Sequence, residues 1–210
     1  MSNEVKIKIC GLTRLEDMEC VNEYKPDFIG FVFAKRSKRY CPTLQAKRMR
    51  SKLINGIITV GVFDNEPINE IINLYDQDVI SIAQLHGGET NEYIEKLKDK
   101  RPTLRIVRAI DASKNTDNFD MSLADYLLFD NGNGGSGKMF NWENINIKDI
   151  PFFIAGGINN ENVTDAIKLK PYAVDVSSGV ETDGLKDFKK IRNIIELVRR
   201  ENIMNSCGGK

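Results

Sequence analysis

Short apolar runs alternate with amphipathic, charge-bearing segments along most of the chain. Runs of five to eight residues rich in β-branched and aromatic side chains read as strands, and apolar positions spaced by three and four read as helices. Val5–Cys10 is such a strand, with a helix over Leu15–Tyr24 behind it. Asp27–Phe33 is followed by a helix over Thr43–Leu53, and Gly56–Phe63 by a helix that begins near Pro67 and ends at Tyr75. Proline suits an early helical position because its missing N–H would be unpaired there anyway. Val79–Leu85 precedes a charged helix over Glu89–Lys100, and Leu104–Ile110 precedes the polar stretch Asp111–Asp120, with room for only a short or irregular helix. Asp125–Asp130 is followed by a short helical stretch at Trp142–Ile147. Pro151–Ala155 leads into a helix over Glu161–Leu169, capped by Asn159 or Asn160, and Tyr172–Val176 into a long helix over Leu185–Arg200.

The alternation gives eight strand–helix pairs with no linker between halves. Strands separated by helices pair in parallel through crossovers. An eightfold count favours a closed (β/α)8 TIM barrel over an open sheet, as a single catalytic domain over residues 1–200 with a polar tail at 201–210 expected to fray. The 210 residues are short for a fold that typically takes ~250, so connections must be spare except after strands 2 and 6. In this fold the loops that follow the strand C-termini build the active site.

Composition narrows the function classes. Hydrophobic residues are 41% of the chain and charged residues 29%, enough for a core and an ordinary polar surface. The formal net charge is zero, so no global field attracts nucleic acid or anionic lipid, and an anionic ligand must be captured by local groups. The N-terminus shows no basic start with an apolar run behind it, and no stretch approaches the roughly 18 apolar residues of a membrane helix. Cys10, Cys20, Cys41 and Cys207 form no C-x-x-C pair and no zinc spacing, which fits reduced thiols in a cytoplasmic protein. His86 is the single histidine, so a His-rich metal site is excluded and acid–base chemistry rests mainly on other groups.

Three glycine-bearing junctions follow apolar strands in the second half: Asn131–Gly137, Gly156-Gly157 and Ser177–Gly179. Turned backbone N–H groups at such junctions form a concavity suited to phosphate, and this barrel type binds phosphate after strands 7 and 8. The bland alternative is a set of tight turns. Cys10 ends strand 1 on the same face as Lys6 and Lys8. If that face is the interior, Lys8 needs a partner, and Asp175 on neighbouring strand 8 is the expected one. The pair is expected to favour the Cys10 thiolate; the alternative for Cys10 is a small buried hydrophobe. Asp130 closes the apolar strand 6 where partial desolvation suits it to donate a proton, or it is a turn residue. Lys35-Arg36-Ser37-Lys38-Arg39 overhangs the mouth after strand 2, where an arginine can clamp a carboxylate, or it is a solvated loop. His86 sits after strand 4 as a structural group or a ligand contact, and Trp142 covers the ligand or packs outside.

Several segments resemble phosphoribosylanthranilate isomerases of tryptophan biosynthesis: Lys8-Ile9-Cys10-Gly11-Leu12-Thr13, Gly30-Phe31-Val32-Phe33, Ser37-Lys38-Arg39-Tyr40, Val60-Gly61-Val62-Phe63, Gln84-Leu85-His86-Gly87, Gly134–Trp142, Ala155–Asn159 and Val174–Glu181. The resemblance implies an Amadori rearrangement of N-(5-phosphoribosyl)anthranilate to 1-(2-carboxyphenylamino)-1-deoxyribulose 5-phosphate, with no cofactor and no metal. It implies Cys10 as general base, Asp130 as general acid and Arg39 at the anthranilate carboxylate. It implies a phosphate cradle at Gly156, Gly157, Ser178 and Gly179 with Gly135 and Gly137 nearby; His86 is counted with the substrate-binding residues from its place at the mouth. The expected partner is a phosphorylated small molecule rather than nucleic acid or membrane, the chain acting as monomer or homodimer. The rival readings are the analogous histidine-pathway isomerase, which calls for a carboxylate where Cys10 stands, and a catalytically silent sugar-phosphate-binding barrel.

Overall fold

Strand β1 (Lys6–Cys10) pairs in parallel with β2 (Phe28–Val32) on one side and with β8 (Ala173–Val176) on the other. Between them β3 (Ile58–Phe63), β4 (Ile82–Leu85), β5 (Arg105–Asp111), β6 (Tyr126–Asp130) and β7 (Phe152–Ile154) complete a closed eight-stranded parallel barrel in sequence order. The computed structural model describes residues 4–111, 123–130 and 150–207. The stretches expected at Asp111–Asp120 and Trp142–Ile147 therefore fall mostly or wholly outside the described residues.

Helices α1 (Asp17–Tyr24), α2 (Thr43–Arg50), α3 (Ile68–Asp76) and α4 (Asn91–Lys100) follow the first four strands, α5 (Val163–Lys168) follows β7, and α6 (Phe188–Cys207) follows β8. Pro67 stands just before α3, and the Thr90 hydroxyl accepts the Tyr93 N–H to start α4. Neither asparagine expected as the cap takes that place: α5 starts at Val163 behind Asn162 with no side-chain cap bond, and Asn159 Oδ1 instead accepts the N–H groups of Glu161 and Asn162 in the turn ahead of it.

The end of the chain departs from the pattern. Leu185 does not open the last helix: Glu181–Thr182 (β9) and Leu185–Lys186 (β10) pair antiparallel as a hairpin around Asp183-Gly184. Asp187 Oδ1 then accepts the N–H groups of Lys189 and Lys190 and starts α6 at Phe188. That helix runs on to Cys207, past the Arg200 end expected from periodicity. Asn202 ties it to the barrel floor, its amide accepting from Val5 N–H at 2.9 Å and donating to the Val5 carbonyl at 2.9 Å.

Alternation along each strand divides the core in two. Outward positions such as Ile7, Ile9, Ile29 and Phe31 pack against the helices, with Ile191, Ile194, Ile195 and Val198 of α6 in the same cluster. Inward positions including Phe28, Val60, Ile82, Val107, Tyr126, Leu128 and Phe153 fill the barrel. Phe153 meets Phe28 edge-on at 5.4 Å and Tyr126 at 5.7 Å, which closes the interior toward the N-terminal end. Each fully buried side chain of this size stabilises the fold by about 1.5–3 kcal/mol. The barrel is thus plugged below and open only where the strands end.

Candidate active site

Above the plug, inward positions change from apolar to polar. Lys8 is fully buried in the barrel, and its ammonium donates to Asp175 Oδ2 at 2.7 Å and to Gln84 Oε1 at 2.8 Å. The expected Lys8–Asp175 pair is present because their strands are neighbours in register. Burial alone would lower the Lys8 pKa, but Asp175 and Cys10 outweigh it and leave the pKa raised, so the ammonium keeps its proton.

One layer higher, Cys10 faces a cavity of about 280 Å³ at the barrel mouth. Its partner across the sheet is Gly30, and a Cβ there would lie 2.6 Å from Cys10 Sγ. The bare glycine makes room for the thiol. The pair below pulls toward a thiolate as expected, but burial outweighs that pull and leaves the pKa raised. Burial pushes the Cys10 thiol up, Lys8 pulls it down, and Asp175 pushes it up again. Lys8 arrives with its counter-charge beside it, so desolvation wins.

Asp130 lines the same cavity from the end of β6. Its Oδ2 lies 3.5 Å from His86 Nε2, and its Oδ1 is buried with no hydrogen-bond partner among the described residues. His86 Nδ1 lies 3.0 Å from Gln84 Nε2. The loop that carries His86 is fixed by Glu89, which accepts from Gly87 N–H at 2.8 Å and from Asn65 N–H at 2.7 Å.

Arg39 reaches the cavity from the loop after β2. It is already bonded within the protein: Nε and Nη2 donate to the two carboxylate oxygens of Glu181 at 2.6 and 2.7 Å. Lys186, with its side chain 2% exposed, donates to Glu181 Oε1 at 2.6 Å and to the Ser177 carbonyl at 2.9 Å. Burial alone would raise the Glu181 pKa, but the bonds from Arg39 and Lys186 outweigh it and hold the carboxyl below its ordinary value. Burial pulls the Lys186 ammonium down, against the pull of Glu181. A guanidinium has five N–H donors, so the Glu181 fork leaves the Nη1 edge of Arg39 for a second carboxylate.

The far wall is backbone. Gly156 and Gly157 take φ of +93° and +71°, a left-handed pair that only glycine adopts without strain, and both line the cavity with Ser177 and Ser178. Gly179 lies behind that wall. It bridges to Asn159, and a Cβ there would come within 1.9 Å of the Ile158 carbonyl oxygen, so the loops after β7 and β8 close against each other only with glycine at this position.

Of the residues singled out in the sequence, one cavity therefore gathers Cys10, Asp130, Arg39, His86, Gly156, Gly157 and Ser178. Gly179 packs behind it, and Gly135, Gly137 and Trp142 lie outside the described residues. Gln84, Glu181 and Lys186 were not singled out. Gln84 shares the inward face of β4 with Ile82, a signal the alternation carried, whereas the burial of Lys186 needs the hairpin that Asp183-Gly184 makes. Among the described residues no group of three His, Cys, Asp or Glu side chains is placed to hold a metal, and no helix is long and apolar enough to cross a membrane.

A closed parallel barrel with reactive side chains gathered where the strands end is the layout of a (β/α)8-barrel enzyme. A family model described as N-(5'phosphoribosyl)anthranilate (PRA) isomerase matches residues 7–197. N-(5'-phosphoribosyl)anthranilate isomerase of Endomicrobium trichonymphae is 46% identical over 201 residues, covering 92% of this chain and 98% of that one. The same-named protein of Thermoanaerobacter sp. strain X514 is 46% identical over 200 residues, covering 93% and 98%. The crystal structure of phosphoribosyl anthranilate isomerase from Thermus thermophilus superposes with a TM-score of 0.83 at 30% identity, over 94% of this chain and all of that one. A phosphoribosyl anthranilate isomerase in complex with reduced 1-(o-carboxyphenylamino)-1-deoxyribulose 5-phosphate superposes with a TM-score of 0.76 at 32% identity, covering 93% and 99%. The chain belongs to the N-(5'-phosphoribosyl)anthranilate isomerase family.

Proposed function

We propose that this chain catalyses the Amadori rearrangement of N-(5-phosphoribosyl)anthranilate to 1-(2-carboxyphenylamino)-1-deoxyribulose 5-phosphate, with Cys10 as general base and Asp130 as general acid. The observation that carries the reading is the meeting of a thiol, a carboxyl, an arginine and two glycine-bearing turns around one cavity. Asp130 gives a proton to the ring oxygen, and the C1′–O bond breaks to leave an iminium. The iminium acidifies the C2′ proton, which the Cys10 thiolate removes to form an enolamine that tautomerises to the ketone. A new positive charge beside a thiol favours its ionisation, so as the iminium forms the Cys10 thiol gives its proton to solvent and the thiolate then takes the C2′ proton, the iminium and Lys8 acting against the burial that raises its pKa.

The free edge of Arg39 takes the anthranilate carboxylate, and the backbone of Gly156, Gly157 and Ser178 takes the phosphate, with His86 beside the sugar. Two anchors at the ends of the substrate hold the reacting carbons between acid and base. The substrate is a phosphorylated small molecule and not nucleic acid, in line with the zero net charge, and the free thiols of Cys10, Cys20, Cys41 and Cys207 accord with the cytoplasm. A dimeric relative from Thermotoga maritima that was also obtained as monomers supports either state here.

The test is direct. Purified protein added to phosphoribosylanthranilate is expected to make the substrate's fluorescence decay, and Cys10→Ala and Asp130→Asn are each expected to lower kcat by about 10²–10⁴-fold with the fold retained. Near-normal turnover by either variant removes that residue from its role.

A further inference from the structure

Five inward side chains form one line of polar contacts across the barrel mouth: Asp175, Lys8, Gln84, His86 and Asp130, at successive separations of 2.7, 2.8, 3.0 and 3.5 Å. Its direction is set from one end. An ammonium only donates, so Gln84 must turn its oxygen to Lys8. The Gln84 amide nitrogen, a donor only, then faces His86 Nδ1. A neutral imidazole that accepts at Nδ1 carries its proton on Nε2, and Nε2 is the atom that faces Asp130 Oδ2.

We propose that Lys8 and Gln84 fix the Nε2–H tautomer of His86, and that His86, by engaging Oδ2, positions the carboxyl of Asp130 for proton transfer. Asp130 lines the cavity, and because its Oδ1 is buried, Oδ2 is the oxygen within reach of His86. At 3.5 Å the His86 contact is longer than a formed hydrogen bond and within reach of one, and such contacts tighten in the substrate complex. In the step itself the carboxyl O–H bond of Asp130 breaks as the proton passes to the ring oxygen. Its electron pair stays on the carboxylate, and the charge formed there is met by the Nε2–H of His86 on Oδ2. His86 acts through Asp130 and is a positioning residue. The consequence for catalysis rests on the acid role proposed above, whereas the tautomer does not.

The sequence holds one histidine, so the ring nitrogens of the 15N-labelled protein give a single pair of signals. Wild type is expected to show Nδ1 unprotonated and Nε2 protonated. Gln84→Glu replaces the donor with a group that only accepts, and is expected to move the proton to Nδ1 and lower kcat by at least about tenfold, with KM changed less than about twofold. Because His86 is partly exposed, His86→Gln and His86→Leu provide a second pair that folds independently of the buried lysine. The glutamine variant keeps an N–H donor and is expected to turn over at least about tenfold faster than the leucine variant. A wild-type ring protonated at Nδ1, a Gln84→Glu ring reversed with kcat unchanged, or equal rates for the two His86 variants would overturn the proposal. The ring signals need no turnover, so a wild type with the expected tautomer and no isomerase activity would count against the acid role and not against the tautomer.

Discussion

Gly30→Ala places one methyl group where the thiol of Cys10 stands. The added Cβ would lie 2.6 Å from Sγ, 3.1 Å from the Cys10 Cα and 3.3 Å from its Cβ. An ordinary contact begins near 3.4 Å, so the sulfur must retreat by about 0.8 Å or the strands must part. Overpacking of this kind costs about 1–3 kcal/mol of stability. The catalytic cost is larger in proportion, because a misplacement of about 1 Å in a reacting group lowers the rate by as much as ~10²-fold. The expected outcome is a folded variant with kcat reduced about 10²-fold and KM nearly unchanged, since neither the arginine nor the glycine turns are touched.

Two assays separate the terms. Fluorescence decay of phosphoribosylanthranilate gives kcat and KM, and urea unfolding gives stability. In a Cys10→Ala background the nearest clash is gone, so Gly30→Ala is expected to cost clearly less stability there than in the wild type, a coupling that contacting residues show and distant ones do not. A Gly30→Ala enzyme with kcat within about threefold of wild type would refute the reasoning, because the thiol would then tolerate a shift that proton abstraction should not. Equal stability costs in the two backgrounds would refute the steric half.

Other perturbations test the charges. Asp175→Asn removes the group that cancels Lys8 beside the thiol, and the Cys10 pKa is expected to fall; the pH profile of Cys10 alkylation reads this in a Cys207→Ser background, where burial keeps Cys20 and Cys41 unreactive by pushing both to about 12. An unchanged or higher alkylation midpoint would contradict the stated balance. Glu181→Gln leaves the buried Lys186 ammonium without its carboxylate and is expected to cost about 3–5 kcal/mol near neutral pH. Because the folded state holds Glu181 below its ordinary 4.5, its contribution is present above that value and is lost as pH falls through the folded pKa, so wild type and variant converge in acid. A stability difference that stays constant from pH 7 to about 3 would be inconsistent with that linkage.

The barrel was legible because its signal is repeated. Each strand is an apolar run of fixed period, and eight of them in alternation with amphipathic segments leave few topologies. Once the topology is given, alternation from Cys10 puts Lys8 inside, and a buried lysine calls for a carboxylate on a neighbouring strand, which is how the Asp175 partner followed from the sequence. What was missed is of another kind. The hairpin of β9 and β10 is two residues to a side, too short for periodicity to detect, and periodicity read from Leu185 onward assigns its second strand to the start of a long helix. With the hairpin went the burial of Lys186 and the neutral cluster it forms with Glu181, and so the fact that Arg39 enters the site already held on one edge.

The thiol shows the limit from the other side. A lysine one layer below a cysteine pulls toward a thiolate, and the pair is present as expected, yet burial outweighs its pull on the sulfur. A buried cation that brings its own anion presents a dipole to its neighbour and not a net charge, and burial then decides the protonation state. Two consequences follow for the chemistry. Burial raises the pKa of the Cys10 thiol, which disfavours the reactive thiolate in the resting site. On the proposed mechanism the base gains strength when positive charge appears on the substrate, so ring opening by the acid would precede proton removal by the sulfur. The register that sets Asp175 opposite Lys8 is the feature such an order would rest on.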